Sequence, residues 1–213
     1  MIWIKKWSPL VLMTVFVLFL AGNTMAQDVK LGVKGGLNLS HLSIEDANDK
    51  NIIPGFHVGG FASIPVSGAF SVQPELLYSL KGTKWEQQSA SFTSEVNLKL
   101  SYLELPVNLV YNLARDVDFQ VGPYVGFLLG AKADSELKSG STSINFSNEL
   151  SKEHFKSTDF GLQGGMRFLL NPLYLGFTYK LGLSEVAKED GRARPYVGDA
   201  SNRSIQIYAG IAF

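Results

Sequence analysis

The sequence holds three histidines, and two of them, His41 and His154, sit in polar stretches with serines close by: Ser40 and Ser43 near the first, Ser151 and Ser157 near the second. A serine beside a histidine can be a nucleophile beside its base, the pairing that some lipid acyl hydrolases and transferases use. No nucleophile motif surrounds these residues, and no third group is placed to orient either imidazole. No catalytic residue is therefore assigned, and the chain is not expected to be an enzyme. Two loop histidines in a chain without cysteine make no zinc set. The acidic runs EDANDKN at Glu45 to Asn51 and KED at Lys188 to Asp190 lack the ligand spacing of a calcium loop, so no metal or other cofactor is expected.

A second set of charges has a more informative spacing. Lys180 interrupts a segment in which Leu173, Leu175, Phe177, Tyr179, Leu181 and Leu183 alternate with Tyr174, Gly176, Thr178 and Gly182. Asp159 and Arg167 occupy the polar phase of a segment whose other phase is Phe160, Leu162, Gly164, Met166 and Phe168. Glu75 does the same between Phe70 and Leu80, and Lys30 and Lys34 between Val29 and Leu39. An alternation of period two is a strand with one apolar face. Charges on its other face must point away from whatever solvates the apolar side. Lys30, Lys34, His57, Glu75, Lys81, Lys99, Glu104, Asp118, Asp159, Arg167 and Lys180 are assigned to that interior, with Lys34, Glu75, Glu104, Asp159, Arg167 and Lys180 as the polar network of a lumen. Both signs occur, and charges in a narrow space pair with one another.

The elements that carry these residues number eight: Val29 to Leu39, Phe56 to Val66, Phe70 to Leu80, a segment through Leu103 to Tyr111, Val117 to Gly130, Asp159 to Phe168, Leu173 to Leu183 and Ile205 to Phe213. In the fourth, Val96, Leu98 and Leu100 are out of step with Leu103 to Tyr111, which suggests a bulge near Ser101 and Tyr102. Connections alternate strictly. Val66 to Gly68, Leu113 to Asp116 and Asn171 to Pro172 are short, whereas His41 to Asn51, Gly82 to Glu95, Lys132 to His154 and Ser184 to Asn202 are long and polar. Short periplasmic turns and long external loops are the habit of outer-membrane barrels. Outward aromatics eight residues apart, Phe70 with Tyr78, Phe119 with Phe127 and Phe160 with Phe168, fit two interfacial girdles: eight residues at ~3.3 Å, tilted by ~40°, span roughly 20 Å. The fold class expected is all-β, an eight-stranded antiparallel up-and-down transmembrane β-barrel. A soluble sandwich with these aromatics in its core, and a lipocalin-like carrier, are the alternatives. The carrier requires about a dozen charges to line an apolar-ligand cavity.

The first residues place this barrel beyond a membrane. Lys5 and Lys6 precede an apolar run from Leu10 to Leu20, and small residues follow up to Ala26. The run is shorter than the ~20 residues of a spanning helix. A cleaved signal peptide at 1–26 and a barrel domain at 27–213 are expected. Lys plus Arg and Asp plus Glu are 19 each, so no basic face marks a nucleic-acid binder. The absence of cysteine removes lipoprotein anchoring and disulfides.

Several short motifs, VKGGLN at Val33 to Asn38, PGFHVG at Pro54 to Gly59, QPELLYS at Gln73 to Ser79, YLELPVNL at Tyr102 to Leu109, DFGLQGG at Asp159 to Gly165 and YKLGL at Tyr179 to Leu183, together resemble the PorT-like outer-membrane β-barrel family of Bacteroidetes-type bacteria. The resemblance covers nearly all of 27–213. It implies an outer-membrane barrel, and its founding member is associated with protein export through the outer membrane. The function expected is that of a small barrel with a side-chain-filled lumen, structural or partner-binding and an accessory to export. The alternative is a small-molecule-handling barrel, a lipid-modifying enzyme or a narrow pore. Partners expected are outer-membrane lipid, the barrel-assembly machinery, and surface or periplasmic proteins met through loops 132–154 and 184–202. Ile207, Ala209, Ile211 and Phe213, all on the outward phase of the last strand, resemble the C-terminal signal read by that machinery.

Overall fold

The computed structural model describes residues 29–43, 52–88, 93–139, 142–151, 154–188 and 200–213. The leader expected at 1–26, the acidic run 45–51 and most of the loop expected at 184–202 lie outside them. The described residues form nine antiparallel strands: β1 (Lys30–Ser43), β2 (Ile53–Ser67), β3 (Phe70–Gln88), β4 (Thr93–Ala114), β5 (Val117–Ser139), β6 (Thr142–Leu150), β7 (Thr158–Leu170), β8 (Leu173–Glu185) and β9 (Ser201–Ala212). None of the described residues forms a helix long and apolar enough to cross a membrane.

All nine strands belong to one sheet, in the order β4-β3-β2-β1-β9-β8-β7-β5-β6, with a further pairing of β4 to β5. That pairing closes the sheet on itself. A path through β1, β2, β3, β4, β5, β7, β8 and β9 returns to β1, while β6 pairs only with the far half of β5. Closure of the two chain ends is tight. Phe213 N donates to Leu31 O at 2.8 Å, and Leu31 N donates to Phe213 O at 3.1 Å.

Nine strands stand where eight were expected, because two long connections are largely strand. β3 runs to Gln88 and β4 starts at Thr93, leaving little of the loop expected at Gly82 to Glu95. β5 continues to Ser139 and returns as β6 through most of Lys132 to His154. These stretches alternate as the ring strands do, but with charges in place of apolar residues. Lys99 and Asp134 pair across β4 and β5 at 2.8 Å, and Lys84 with Glu95 across β3 and β4 at 2.7 Å. The result is a four-stranded sheet, β3-β4-β5-β6, rising from the loop end of the ring.

The irregularity expected near Ser101 is present, but on the facing strand. Tyr102 pairs with Leu128 and Ser101 with Gly130, so Leu129 is the extra residue of a β5 bulge. β4 keeps its phase from Thr93 to Asn112. Leu98, Leu100 and Tyr102 are therefore buried on the same side as Glu104, not turned outward with Leu105 and Leu109.

Side chains sort by this phase around the whole ring. Leu37, Val58, Leu76, Leu109, Phe119, Phe160, Leu175, Phe177 and Ile207 are exposed, while Asn38, Glu75, Glu104, Gln120, Gln163 and Lys180 are buried. This is the inverse of a soluble protein, and it suits an apolar solvent outside. The outward aromatics fall in two belts. Phe70 stacks on Tyr111 at 4.9 Å near the turn end, and Phe56 meets Tyr78 at 5.8 Å toward the loop end.

Glycine makes room within. The Tyr208 ring lies across Gly176 of β8, where an added Cβ would come within 2.6 Å of the ring. At the β2–β3 turn, Gly68 adopts φ +51°, a left-handed conformation that costs a side-chain-bearing residue about 1–2 kcal/mol.

Candidate functional site

Three polar layers and one apolar layer follow one another along the inside of the ring. At the turn end, Arg167 on β7 places Nη2 2.6 Å from Asp118 Oδ2 on β5 and donates from Nη1 to Gln73 Oε1 at 2.7 Å. Asn112 donates to the other Asp118 oxygen at 2.9 Å. The guanidinium sits 5.3 Å from the Tyr174 ring, which meets Phe61 and Tyr208 edge-on at 5.8 and 6.1 Å. Below this layer an open cavity of about 790 Å³ has Lys30, Arg115 and Asp116 at its rim.

The next layer is centred on Glu75. Lys34 Nζ lies 2.5 Å from its Oε2, while Gln73 and Asn108 donate to Oε1 at 2.7 and 3.0 Å. Gln163 donates to Asn108 Oδ1 at 2.7 Å, carrying the network from β3 through β4 to β7. On the opposite wall Gln120 donates to Thr178 Oγ1 and Tyr208 OH at 2.8 and 2.7 Å. Asn38 ties four strands together. Its Oδ1 accepts from His57 Nδ1 at 2.7 Å and Gln206 Nε2 at 2.9 Å, and its Nδ2 donates to Ser79 Oγ at 3.0 Å and Leu80 O at 2.9 Å.

In the third layer Glu104 holds two cations. Lys81 approaches one of its oxygens at 2.5 Å and Lys180 the other at 2.5 Å. Lys81 also reaches Asp159 at 3.2 Å, and Asp159 accepts from Ser184 at 2.9 Å and Asn202 at 3.2 Å. The Tyr124 ring takes both ammonium groups on its faces, Lys81 at 4.8 Å and Lys180 at 5.0 Å.

The fourth layer is apolar. Leu98, Leu100 and Tyr102 of β4 pack with Phe155, Val186 and Ala187, which come from segments leading into β7 and out of β8. Phe155 and Ala187 form a β-bridge between the segments that flank β7 and β8, backed by Lys156 N donating to Val186 O at 2.9 Å, and both residues are buried. The loop end is thereby capped.

Electrostatics follow from this packing. Buried Lys34, Lys81, Arg167 and Lys180 face buried Glu75, Glu104, Asp118 and Asp159, four charges of each sign. Each has an opposite charge within 3.2 Å. Exposed ends of such pairs would be worth little, but buried ones are costly to break. The charges of this interior balance. No three His, Asp or Glu of the described residues converge as a metal site.

The structure places Lys34, Glu75, Glu104, Asp159, Arg167 and Lys180 inside the ring, and joins Lys34 to Glu75 and Lys180 to Glu104 directly. Lys99, assigned to the interior, is instead on the outer face. The unbroken phase of β4 turns it away from Leu98 and Leu100, and it pairs with Asp134. Lys30 is exposed at the turn-end mouth. Ile207, Ala209, Ile211 and Phe213 all face outward. Of the serines near His41, Ser40 is buried inside, on the face opposite His41, so these two do not meet as nucleophile and base, while Ser43 shares the face of His41. The aromatics Tyr102, Tyr124, Tyr174 and Tyr208, and the cap residues Phe155 and Val186, were not among the assigned site residues. The inward phase signalled the tyrosines, and nothing local signalled the cap.

On the projecting sheet the outer face is charged. Hydrogen bonds from Lys99 and Ser147 hold the Asp134 carboxyl down at about 2, and Lys84 and then Asn97 lower that of Glu95.

Among solved structures, the attachment invasion locus protein Ail of Yersinia pestis is 14% identical over 86% of this chain and 98% of its own, with a TM-score of 0.45. Neisserial surface protein A is 11% identical over 86% and 97%, with a TM-score of 0.47. The N-terminal β-barrel domain of Pseudomonas aeruginosa OprF is 9% identical over 86% and 97%, with a TM-score of 0.37. At these scores no role is carried over from them. No curated protein matches the chain. The profile of the outer membrane protein beta-barrel domain matches residues 25–188, well over half the chain, and the protein belongs to that family.

Proposed function

We propose that the ring is an eight-stranded barrel crossing the outer membrane, that its lumen is a solid polar core rather than a path, and that the protein works as a structural or partner-binding scaffold. The observation that carries this reading is the interior itself: four buried cations matched by four buried carboxylates, under an apolar cap. A ring of this size has room inside for side chains and little else. The tight turns then lie in the periplasm and the projecting sheet outside the cell, where its charged outer face begins above the upper aromatic belt. Export by a cleaved leader at 1–26 belongs to the same reading, as does recognition of Ile207, Ala209, Ile211 and Phe213 by assembly machinery. The resemblance to PorT-like barrels suggests that the partners belong to protein export.

Planar bilayers test it. Purified protein is expected to give no steady conductance, and reproducible single-channel steps would overturn the solid-core reading. Fractionation with heat-modifiable gel mobility places the barrel in the membrane, and pull-down with and without residues 132–154 identifies what the scaffold holds.

A further inference from the structure

The projecting sheet has two unlike faces. On one, Lys99, Lys132, Asp134, Glu136 and Lys138 form ion pairs in water. The other continues the barrel interior: Leu98 opposite Ala133, Val96 opposite Ser135, Ser94 opposite Leu137 on β4 and β5, then Ser135 opposite Phe146 and Leu137 opposite Ile144 on β5 and β6. It carries no charge. Near the ring this face is buried at Leu98, but farther out it is open among the described residues, where Leu137, Ile144 and Phe146 are 39%, 46% and 57% exposed.

β6 also ends the sheet among the described residues. Sheets that must stay unpaired guard their edges with lysine, proline, bulges or short strands. β6 has none of the first three: Thr142–Leu150 contains neither proline nor a basic residue, Glu149 is its one charge, and its nine pairs with β5 run without a register shift. Backbone donors and acceptors on a flat edge, beside an exposed uncharged face, are the two halves of a strand-addition site.

A second copy of this chain does not fit there. Antiparallel self-pairing of β6 has its two-fold axis perpendicular to the sheet. Because β5 runs unbroken from the ring into this sheet, that axis lies close to the membrane plane, and the second barrel would be inverted. We propose that the free edge of β6 accepts an extended segment of a different protein. That segment lies antiparallel to β6, with apolar uncharged side chains beside Ile144 and Phe146 and no acidic residue beside Glu149. The inference rests on the outer-membrane scaffold reading and adds to it the site, the mode and the chemistry of the partner.

The test uses full-length protein in nanodiscs and a fluorescein-labelled peptide of alternating valine and threonine with a lysine at each end. Saturable binding is expected, with amide exchange slowed in 142–150. Phe146→Lys and Ile144→Lys each weaken it at least roughly tenfold, and a central proline in the peptide abolishes it. Both substitutions lie outside the closed ring, and unchanged heat-modifiable mobility verifies the barrel. Absence of saturation, equal binding by the lysine variants or by the proline peptide, or protection confined to other segments would overturn the proposal. Single-channel steps would overturn the solid-core scaffold without touching this binding readout, so the two ideas fail separately.

Discussion

Lys180 Nζ lies 2.5 Å from Glu104 Oε2, a contact across the lumen between residues 76 positions apart. Glu104 takes Lys81 on its other oxygen and is wholly buried, so one carboxylate bridges two ammonium groups, with Asp159 supplying the second negative charge beside Lys81. Glu104→Gln leaves Lys180 without its carboxylate and Lys81 with Asp159 alone. A loss of about 3–5 kcal/mol is expected from breaking a buried pair. Urea titration of the protein refolded in lipid vesicles measures it, and Lys180→Met in the same chain should restore part of the loss. An unchanged midpoint in the single variant would show that the pair is not formed.

Gly176 sits beneath the Tyr208 ring, with no space for a methyl group. Gly176→Ala is expected to destabilise by about 1–3 kcal/mol through overpacking. Tyr208→Leu should relieve it, although that change also removes the acceptor used by Gln120. The double variant folding better than Gly176→Ala alone is the informative result.

On the charged outer face, Asp134 titrates near 2 because Lys99 and Ser147 donate to its carboxylate. A carboxyl lowered in the folded state stabilises it above the unfolded value of 3.8, and that contribution is lost as pH falls through about 2. The pair is partly solvated, so the effect on stability is expected to be at most about 1 kcal/mol. Carbon-detected NMR should give a midpoint near 2 that rises toward 3.8 in Lys99→Met. If Lys99→Met leaves the midpoint in place, the pairing is wrong.

Phe213 closes β9 on β1 through two backbone hydrogen bonds to Leu31. Deleting it removes both bonds and the last outward aromatic. The heat-modifiable fraction in outer membranes is expected to fall, while barrel that does assemble keeps its mobility. A full yield of assembled deletion variant would detach this residue from assembly.

The phase of β7, β8 and β9 could be read directly, because their outward residues are apolar and their inward ones are small, polar or charged without exception of consequence. β4 could not. The rule that apolar means outward fails where the lumen itself becomes apolar, so Leu98 and Leu100 pointed the reading the wrong way and took Lys99 with them. The bulge signal was sound, yet sequence cannot say which of two paired strands holds the extra residue, here Leu129. The β5–β6 hairpin was hidden for a related reason. Lys132, Asp134, Glu136 and Lys138 alternate perfectly well, but in a polar segment alternation resembles an ordinary solvated loop. The cap was out of reach, since Phe155 and Val186 meet only after their strands are in place.

Gln206 donates to Asn38 at 2.9 Å across 168 residues of chain. Such a bond exists only once the last strand has met the first. A chain inserted as far as β8 therefore holds Asn38 and His57 without that donor, inside a half-made wall open to hydrocarbon. Intermediates of this kind are poor resting states, and high sequence separation makes the final contact slow to find. The interior is thus a checkpoint on completion as well as a filling: Lys34–Glu75 and Lys81–Glu104 can form among β1 to β4, but the Asn38 node gains its last donor only when the wall is whole, which favours the closed ring over partly zipped barrels.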